Sequence, residues 1–559
     1  MISRYNNVCK KCNKRIRAGI DEIGKDSTLG WVHALCVDVS SNYKYGTADV
    51  VNPDALLQTI DSVPEQKVYV ENKFTPSPYQ QAIFDWIVNG TGHGVVEAVA
   101  GSGKTTTIVQ ALKLTPKDAS VAFVAFNKHI ATELQLRSPS HVRVSTLHAL
   151  GLNEIRRNFG HINIDSDKLS KYFDEYWCVR RKQVSNPVRI KNRIKRSLAR
   201  KVISLSKAIL LDVSNPKAIE EAMDRYGIEY NSESEDVLRK IPDIMEQSKM
   251  DVNIVDFDDM IWFPATLNIE LTKYDYLFVD EAQDLNKSQT QFLLKSIKPE
   301  GRIIAVGDRS QSLYGFRGAD TDAIPSMIET LKATVLPLSI SYRCPVSHVE
   351  LAKQYVQEIE ARPGAPQGEV AYITEEQFES MPADGDMILC RTNAPLISPA
   401  FKMIRSGKRA CVRGRDIGAS LIAMIDRFDT ESINSFGANL NEYFHREYER
   451  MVDRGKELQA EMLKDQVETI ELVMSECTSD AVSELRNKFS MLFSDEREAV
   501  TFSSIHRAKG LEAERVFILR PELMPHPKAK KEWEAVQESN CIYVAYTRSK
   551  QSLFIVSHL

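Results

Sequence analysis

Short apolar runs alternate with segments of helical periodicity along the middle of this 559-residue chain. Such runs include Val95-Val96, Val121–Val124, Val142–Val144, Tyr276–Val279 and Ile303–Val306. Continuous apolar runs are typical of strands buried on both faces, and strands that alternate with helices form parallel sheets. The pattern therefore predicts an α/β domain in which helices cover both faces of a parallel sheet.

A second group of apolar runs predicts another sheet in the C-terminal half. Its members are Val335–Leu338, Met387–Leu389, Ala410–Val412, Val516–Leu519 and Leu553–Val556. Pro337 has no N–H to donate to a ladder, so we expect the first of these runs to form an edge strand at best.

Two stretches interrupt the alternation with helical patterning, and we interpret both as inserted subdomains. The predicted organisation is a finger at 1–40, a polar connector at 41–72, a first sheet domain at 73–151 and 251–330, its insertion at 152–250, a second sheet domain at 331–427 and 498–559, and a reduced insertion at 428–497. A chain of this length is too long for one hydrophobic core, which agrees with several domains.

Three of the nine cysteines and one histidine form two tight pairs, Cys9-x2-Cys12 and His33-x2-Cys36. This spacing predicts a tetrahedral Cys3His zinc site, which would also explain how so short a segment folds. A redox Cys-x-x-Cys is the alternative, but such a pair normally opens a helix after a strand, and neither is evident here. The segment resembles one half of a LIM-type finger, with Trp31 two residues before His33. The other six cysteines are scattered, as expected for reduced thiols.

Composition changes this picture only locally. The net charge of −4 excludes a globally basic protein, and no apolar run approaches the roughly 20 residues of a membrane span. However, residues 180–201 carry ten Lys or Arg and no acidic residue. Ile190, Ile194 and Leu198 predict a helix there with an apolar stripe and a basic face. The face is either a solvated charged surface or a phosphate-contacting surface, and the one-sided charge favours the second interpretation.

The segment from Ala98 to Thr105 has the strand–loop–helix context of a phosphate-binding loop. Its small residues allow backbone N–H groups to close around phosphates at a helix N-terminus. Lys104 would then reach the β- and γ-phosphates, and the Thr105 hydroxyl would hold Mg²⁺. Ala98 stands where the strict G-x4-G-K-T pattern has its first glycine.

The apolar run Tyr276–Val279 ends in Asp280-Glu281-Ala282-Gln283-Asp284. A carboxylate at the end of a strand beside a phosphate loop is a usual second anchor for Mg²⁺, and we assign this role to Asp280. Glu281 is placed to polarise an attacking water. The alternative is an ordinary solvated turn, but the apolar strand directly before these residues argues against it.

The motifs that follow resemble those of the UvrD/Rep/PcrA group of superfamily 1 helicases. They are, in order, the loop already described, the Asp280 motif, Gly307-Asp308-Arg309-Ser310-Gln311-Ser312-Leu313-Tyr314-Gly315-Phe316-Arg317-Gly318-Ala319, Tyr342-Arg343, the run from Phe502 to Glu512, and Tyr543-Val544-Ala545-Tyr546-Thr547-Arg548. The resemblance covers roughly residues 70–559, and the compact build resembles phage members and the helicase part of F-box helicases. It implies two RecA-like P-loop domains with helical insertions.

The resemblance also implies an ATP site between the two sheets. Gln80, or alternatively Gln81, would read the adenine edge, Tyr342 would stack on adenine, and Glu512 would meet the ribose. Gln311 would sense the γ-phosphate, and Arg343 and Arg548 would reach it from the second domain. The remaining nucleotide-binding residues implied by the family are Ala100, Gly101, Ser102, Gly103, Lys104, Thr105, Thr106 and Asp280, with Thr105 and Asp280 holding Mg²⁺.

For nucleic acid, the family implies a single-strand track that uses base stacking and backbone contacts. Tyr314 and Phe316 fit the stacking positions, with Arg317 beside them, while Asn127, His148 and His506 fit the backbone contacts. Two departures are visible. Phe126-Asn127-Lys128 replaces the usual Thr-Asn-Lys, and Asn540 stands where the family has an arginine before the Tyr543 motif.

These residues predict an ATP-driven, single-stranded DNA translocase and helicase of replication, recombination or repair, with 3′→5′ polarity from resemblance alone. We expect ATP, Mg²⁺ and Zn²⁺ as cofactors, duplex junctions as substrates, no membrane partner and a monomeric motor. The finger could contact a protein partner, and the location would be cytoplasmic, or nuclear in a eukaryote. The alternatives are a translocase that strips proteins from DNA and unwinds weakly, and a zinc-finger scaffold with a silent ATPase.

Overall fold

The structure is a computed structural model that describes residues 74–179, 186–313, 323–428, 430–453, 457–493, 499–527, 529 and 532–557, together with four short strands before residue 34. The chain divides into two compact units, Met1–Thr75 and Pro76–Leu559. No helix among these residues is both long and apolar enough to cross a membrane.

The first unit contains two antiparallel hairpins. β1 (Asn7–Val8) pairs with β2 (Arg15–Ile16), and β3 (Ile23–Asp26) pairs with β4 (Gly30–His33). Of the four predicted zinc ligands, Cys9, Cys12 and Cys36 lie outside the described residues, and for His33 only its place in β4 is described. The zinc site therefore stays a prediction.

The second unit is built on two parallel sheets. Its strands are β5 (Gly94–Ala98), β6 (Val121–Ala125), β7 (Val142–Thr146), β8 (Asn163–Ile164), β9 (Ile254–Val255), β10 (Tyr274–Val279), β11 (Ile297–Gly307), β12 (Thr334–Leu338), β13 (Ile340–Ser341), β14 (Glu360–Ala361), β15 (Glu369–Thr374), β16 (Met387–Cys390), β17 (Ala410–Val412), β18 (Val500–Ser504), β19 (Ala513–Ile518) and β20 (Ser549–Ser557). The first large sheet has the order β12-β5-β11-β10-β6-β7, and the second has the order β15-β20-β19-β16-β18-β17. All strand pairs within these two sheets are parallel, as predicted.

One predicted strand belongs to the other sheet. The run that includes Val335–Leu338 was expected in the second sheet, but β12 pairs with β5 at the edge of the first. Pro337 lies opposite Glu97 in this pairing, and an edge strand tolerates proline because only one of its sides is bonded. The edge position was thus predicted correctly, and the sheet was wrong.

Helices cover both sheets and form the two insertions. The helices that flank the first sheet are Pro78–Asn89, Lys104–Lys113, Lys128–Arg137, Leu147–Phe159, Asp259–Thr266, Lys287–Lys295 and Ala323–Leu331. Those that flank the second sheet are Val346–Ala352, Glu375–Ser380, Ala394–Arg405, Arg415–Ile425, Ile505–Ala508 and Glu532–Tyr546. The first insertion contains Leu169–Tyr176, Asn186–Ile209, Pro216–Arg225, Ser234–Leu238 and Ile241–Met250, and the second contains Ile433–Asp453, Glu457–Ser475 and Val482–Leu492.

A buried charge cluster fastens the first insertion to the first sheet domain. Lys168 directly precedes the helix Leu169–Tyr176 and Lys207 lies on the helix Asn186–Ile209, and their Nζ atoms are each 2.7 Å from one of the two Asp259 carboxylate oxygens. Lys207 also contacts Asp256 at 2.9 Å. Because all four groups are buried and paired, the loss of any one would leave an uncompensated charge in the interior.

The basic helix Asn186–Ile209 differs from the sequence-based expectation in two respects. Ile190 and Ile194 are exposed, whereas Leu198 is buried, so the predicted apolar stripe is core only in its C-terminal part. Four of the positive charges also form ion pairs with carboxylates of the insertion. The ion pairs are Lys191–Glu233, Lys195–Glu233, Lys195–Asp236, Arg196–Asp174 and Arg200–Asp167. These pairs involve four of the ten basic residues of the segment 180–201, and the phosphate-contacting surface stays a prediction.

Candidate nucleotide and nucleic-acid site

The predicted nucleotide-binding residues follow three adjacent strands of the first sheet. Lys104 begins the helix that follows β5, while Asp280 directly follows β10 and Asp308 directly follows β11. Since β5, β11 and β10 are parallel neighbours, their carboxyl ends meet at one edge of the sheet. Ligands in open α/β sheets bind outside this edge.

The loop between β5 and the next helix has the conformation that its glycines allow. Gly101 and Gly103 have φ angles of 71° and 75°, which L side chains rarely adopt. A Cβ on Gly101 would also lie 2.5 Å from Cβ of Arg343 and 2.8 Å from Oγ of Ser341. The glycine therefore lets the half of the unit that carries the second sheet approach the loop closely. The Ser102 hydroxyl is buried and has no hydrogen-bond partner within the described part of the chain.

Asp280 and Glu281 form a carboxylate pair beside Lys104, in which Asp280 is buried and Glu281 is half-buried. Burial and, to a smaller extent, the Glu281 charge raise the pKa of Asp280 to about 7, although Lys104 opposes both effects. Burial acts in the same direction on Glu281, but Lys104 and Lys509 hold its pKa below the ordinary value. Two adjacent carboxylates whose charges are only partly compensated, with the Thr105 hydroxyl on the adjoining helix, are a donor set that suits Mg²⁺.

Gln311 and Arg548 meet where the half of the unit built on the first sheet contacts the half built on the second sheet. We call this contact region the seam. Gln311 is buried, and its Nε2 donates to Asp308 Oδ2 at 2.6 Å. Its Oε1 accepts from Nη2 of Arg548 at 3.3 Å. The Arg548 guanidinium also donates to the carbonyl groups of Val544 and Leu511, and burial lowers its pKa to about 10.

Arg343 lies nearer the surface of the seam, where it is held by an acidic partner. Its Nη2 is 2.6 Å from Oε2 of Glu512, and Glu512 also binds Lys550 at 2.7 Å. The Arg343 guanidinium is therefore paired with a carboxylate on its own half of the unit.

A cavity of about 470 Å³ opens between the two halves. Its lining consists of Gly101, Gly103, Tyr342, Arg343, Cys344, Arg362, Pro366, Glu512 and Lys550. The lining thus combines the phosphate loop with the residues predicted for adenine and ribose. Arg362, Pro366 and Lys550 were not singled out from the sequence, because no local motif marks them.

Gln80 and Gln81 have different surroundings. Gln80 is buried, its Nε2 donates to Thr107 Oγ1 at 3.0 Å, and its Oε1 accepts from the Tyr342 hydroxyl at 3.4 Å. Gln81 is exposed and donates to Asp85. Of the two candidates, Gln80 is therefore the one beside Tyr342 and the phosphate loop.

The described nucleic-acid candidates follow other strands of the two sheets. Asn127 follows β6 and caps the next helix by accepting the Ile130 N–H at 2.9 Å. His148 is exposed in the first turn of the helix after β7, and His506 is half-buried after β18, 3.6 Å from Sγ of Cys541. Tyr314, Phe316 and Arg317 lie outside the described residues.

Several contacts across the seam involve residues to which sequence reasoning gave no role. The Lys509 Nζ lies 2.5 Å from Oδ2 of Asp284, and both side chains are buried. Asn540, noted as a departure from the family, donates to the Ser312 carbonyl at 3.0 Å. Tyr543 reaches the phosphate loop itself. All these residues stand inside or beside the quoted motifs, so the motifs located them without revealing which partner each would meet.

Two family models match the chain. Residues 80–332 match the UvrD/REP helicase N-terminal domain, and residues 449–559 match the UvrD-like helicase C-terminal domain. Together the two matches cover well over half of the chain, and each contains motifs that meet at the seam.

Curated proteins also match over part of the chain. The ATP-dependent DNA helicase Rep of Salmonella typhimurium is 26% identical over 289 residues, which cover 48% of this chain and 41% of that protein. The ATP-dependent DNA helicase PcrA of Staphylococcus epidermidis is 25% identical over 288 residues, covering 47% and 38%. The F-box DNA helicase protein 1 of Schizosaccharomyces pombe is 24% identical over 301 residues, covering 46% and 29%. The matched region thus spans less than half of each of these relatives.

Proposed function

Because the chain belongs to the UvrD/Rep family of DNA helicases, we propose that it hydrolyses ATP to move along single-stranded DNA and to separate duplex strands. The observation that carries this proposal is the meeting of Lys104, Asp280, Glu281 and Gln311 with Arg548 at one seam. A sheet edge that only bound nucleotide would not need a buried arginine from a second sheet. Such an arginine is typical of phosphoryl transfer, where it stabilises charge in the transition state.

In this proposal each side chain acts on the nucleotide from a fixed element. Lys104 and the loop N–H groups hold the phosphates, while Thr105 and Asp280 would hold Mg²⁺, which neutralises charge on the phosphate oxygens when bound. Glu281, kept ionised by Lys104 and Lys509, orients and polarises the attacking water. Arg343 exchanges its Glu512 partner for phosphate as the halves close.

The nucleic-acid track is proposed to follow the strand ends away from the nucleotide. Asn127, His148 and His506 would contact the backbone, and the aromatic residues Tyr314 and Phe316, with Arg317 beside them, would stack on bases. A stacking track is insensitive to sequence because every base has a π-face. The 3′→5′ polarity is part of this proposal and rests on the family.

A strand-displacement assay tests the proposal. Duplexes with a 3′ or a 5′ single-stranded tail are mixed with the protein, ATP and Mg²⁺. Separation of the 3′-tailed duplex alone is the expected result. Separation of the 5′-tailed duplex would contradict the polarity, and separation of neither would contradict unwinding.

A second candidate function is displacement of proteins from DNA with weak unwinding. The observation that favours it is the size of the second insertion, which contains three helices between Ile433 and Leu492 in the described part of the chain. A small insertion offers little surface for gripping a duplex ahead of the motor. Faster ATP-dependent release of streptavidin from biotinylated single strands, without strand separation, would support this alternative.

The finger is proposed to bind one zinc ion through Cys9, Cys12, His33 and Cys36, and to serve targeting or a protein contact. The support is the ligand spacing together with two short hairpins in the same segment, since four protein ligands make a closed, structural site. Elemental analysis of wild type and Cys9→Ser tests it. We expect about one equivalent of zinc in the wild type and its loss in the variant. Less than about half an equivalent, unchanged by the substitution, would reject the site.

A further inference from the structure

Tyr543 has no role in the functions proposed above, although it lies between the two halves of the unit. Its helix, Glu532–Tyr546, belongs to the second half of the unit, yet its fully buried ring packs against Val99 and Ala100 at the start of the phosphate loop. The hydroxyl accepts the backbone N–H of Ala100 at 2.8 Å. A side chain from one half of the unit therefore satisfies a backbone donor in the phosphate loop of the other half.

The same hydroxyl also contacts Asp308, at 3.4 Å from Oδ2. Asp308 is a branch point because its N–H donates to Gln283 Oε1 at 3.0 Å, and Gln283 donates in turn to Glu281. A Cβ at Gly307 would lie 2.5 Å from Gln283 Oε1, so this branch is tightly packed. The hydroxyl is thus connected, through Asp308 and its backbone N–H and then through the Gln283 side chain, to the carboxylate proposed to orient water.

The second branch leads to Arg548. Asp308 accepts from Gln311 at 2.6 Å, and Gln311 accepts from Arg548 at 3.3 Å. Within the described residues, the acceptors of the Arg548 guanidinium are uncharged oxygen atoms. In the part of the chain that the structure describes, no carboxylate forms an ion pair with this arginine, so its orientation depends on hydrogen bonds to neutral groups.

Burial keeps the Tyr543 hydroxyl protonated. It raises the pKa of this hydroxyl well above the ordinary value, and the Asp308 charge adds to the effect. A protonated hydroxyl can accept from Ala100 and donate to Asp308 at the same time.

We propose that the Tyr543 hydroxyl is a positioning group that holds the phosphate loop, Glu281 and Arg548 in one arrangement for hydrolysis. This inference rests on the proposed ATPase function. The hydroxyl does not touch the nucleotide, so its loss should disturb the alignment of the reacting groups more than it disturbs nucleotide binding. Interactions of that kind lower kcat and leave KM little changed.

The variant Tyr543→Phe removes the hydroxyl and keeps the ring. We expect kcat of DNA-stimulated ATP hydrolysis to fall about tenfold, with KM for ATP within about twofold of the wild-type value. The matched control is Tyr546→Phe on the same helix, where the ring packs edge-on against Tyr355. This control should keep the wild-type kcat.

Hydrogen–deuterium exchange tests the contact without using turnover. The peptide that covers residues 95–105 should exchange faster in Tyr543→Phe than in the wild type and in Tyr546→Phe, because the Ala100 N–H loses its acceptor. The double variant Tyr543→Phe/Asp308→Asn should lose little more activity than the stronger single variant, since both act through the same hydrogen bond.

Equal kcat values for Tyr543→Phe and wild type, a rise in KM alone, unchanged exchange in the loop peptide, or multiplying losses in the double variant would each overturn the positioning role. A wild-type protein without ATPase activity would contradict the proposed function, and the exchange experiment would still decide whether the contact exists.

Discussion

Glu281 is held in a backbone conformation that residues other than glycine seldom adopt, with φ of 51°. Its N–H donates to Asp280 Oδ1 at 2.9 Å, and its carbonyl accepts the Asp284 N–H at 3.0 Å. Strained residues of this kind persist where the surroundings over-determine them, and they cluster at functional sites. Here the strain directs the carboxylate of Glu281 towards Gln283 and the Lys104 charge.

This residue should be required for hydrolysis but not for nucleotide binding. Glu281→Gln keeps the size and hydrogen-bonding capacity of the side chain and removes the charge, so we expect nucleotide affinity within about threefold of wild type and turnover lowered about 100-fold or more. Titration with a fluorescent ADP analogue and a steady-state ATPase assay measure the two quantities. Weakened binding at unchanged turnover per bound nucleotide would show that Glu281 is a ligand-binding group instead.

Lys104→Ala provides the contrasting variant. It removes the charge that lies near both carboxylates and that is assigned to the phosphates, so binding and turnover should both fail. The thermal transition should stay near the wild-type value, because the partner of Lys104 is a ligand and not the core.

At this scale the sequence singled out candidate residues but did not specify their contacts. The motifs identified Lys104, Asp280, Gln311 and Arg548 because each motif is local in the chain. The partners are not local, because Arg548 meets Gln311 from 237 residues away. A single sequence carries no information about such a pairing.

At the scale of elements, the parallel strands are tied together at their amino ends as well as at the site. Asp275 lies in β10, where its Oδ2 accepts from Ser120 Oγ at 2.7 Å and from Lys298 Nζ at 2.8 Å. The hydrogen bond from Lys298, followed by that from Ser120, lowers the pKa of Asp275 to about 2. This carboxylate fixes the start of three neighbouring chain segments.

A lowered carboxyl pKa stabilises the fold above the unfolded-state value, and this contribution disappears as the pH falls through the folded-state value. Asp275→Asn should therefore lower the first thermal transition by about 1–2 °C at pH 7, with the difference fading between about pH 4 and pH 2. The exposed Asp118→Asn in the preceding loop is the control. A difference that persists at pH 2 would show that packing, and not charge, is responsible.

The basic helix Asn186–Ile209 leads to a different prediction, because four of its positive charges form ion pairs within the first insertion. Lys195 contacts both Glu233 and Asp236, so Lys195→Ala should destabilise the insertion and leave single-strand affinity within about twofold. Binding titrations at several salt concentrations decide this point. A salt slope that becomes shallower by about one unit would identify Lys195 as a phosphate contact.

The strand pattern shows what can be learned about elements from sequence alone. Five runs of the first sheet and four of the second were recognised because they are predominantly apolar. β15 was missed because it is an edge strand with exposed positions, such as Tyr372. β12 was assigned to the wrong sheet because an apolar run specifies burial but does not specify a neighbour.

At the scale of the whole second unit, the two sheets meet through contacts that come from the helicase motifs. These contacts are Tyr543 to Ala100, Arg548 to Gln311, Lys509 to Asp284, Asn540 to Ser312 and the N–H of Tyr342 to the carbonyl of Gly101. Their partners in the first half of the unit lie in the phosphate loop or in the motifs that contain Asp280 and Gln311. A change at the phosphates would therefore reach both sheets, which is what a motor driven by hydrolysis requires.

The most direct test of this account is steady-state ATP hydrolysis with and without single-stranded DNA, for the wild type and for Arg548→Ala. The account predicts hydrolysis by the wild type that rises when DNA is added. It predicts a loss of about 100-fold or more in the variant, because the second sheet would no longer contribute its buried arginine to the transition state. Wild-type hydrolysis that is indifferent to DNA, or an Arg548→Ala variant that retains full activity, would contradict a catalytic seam between the two sheets.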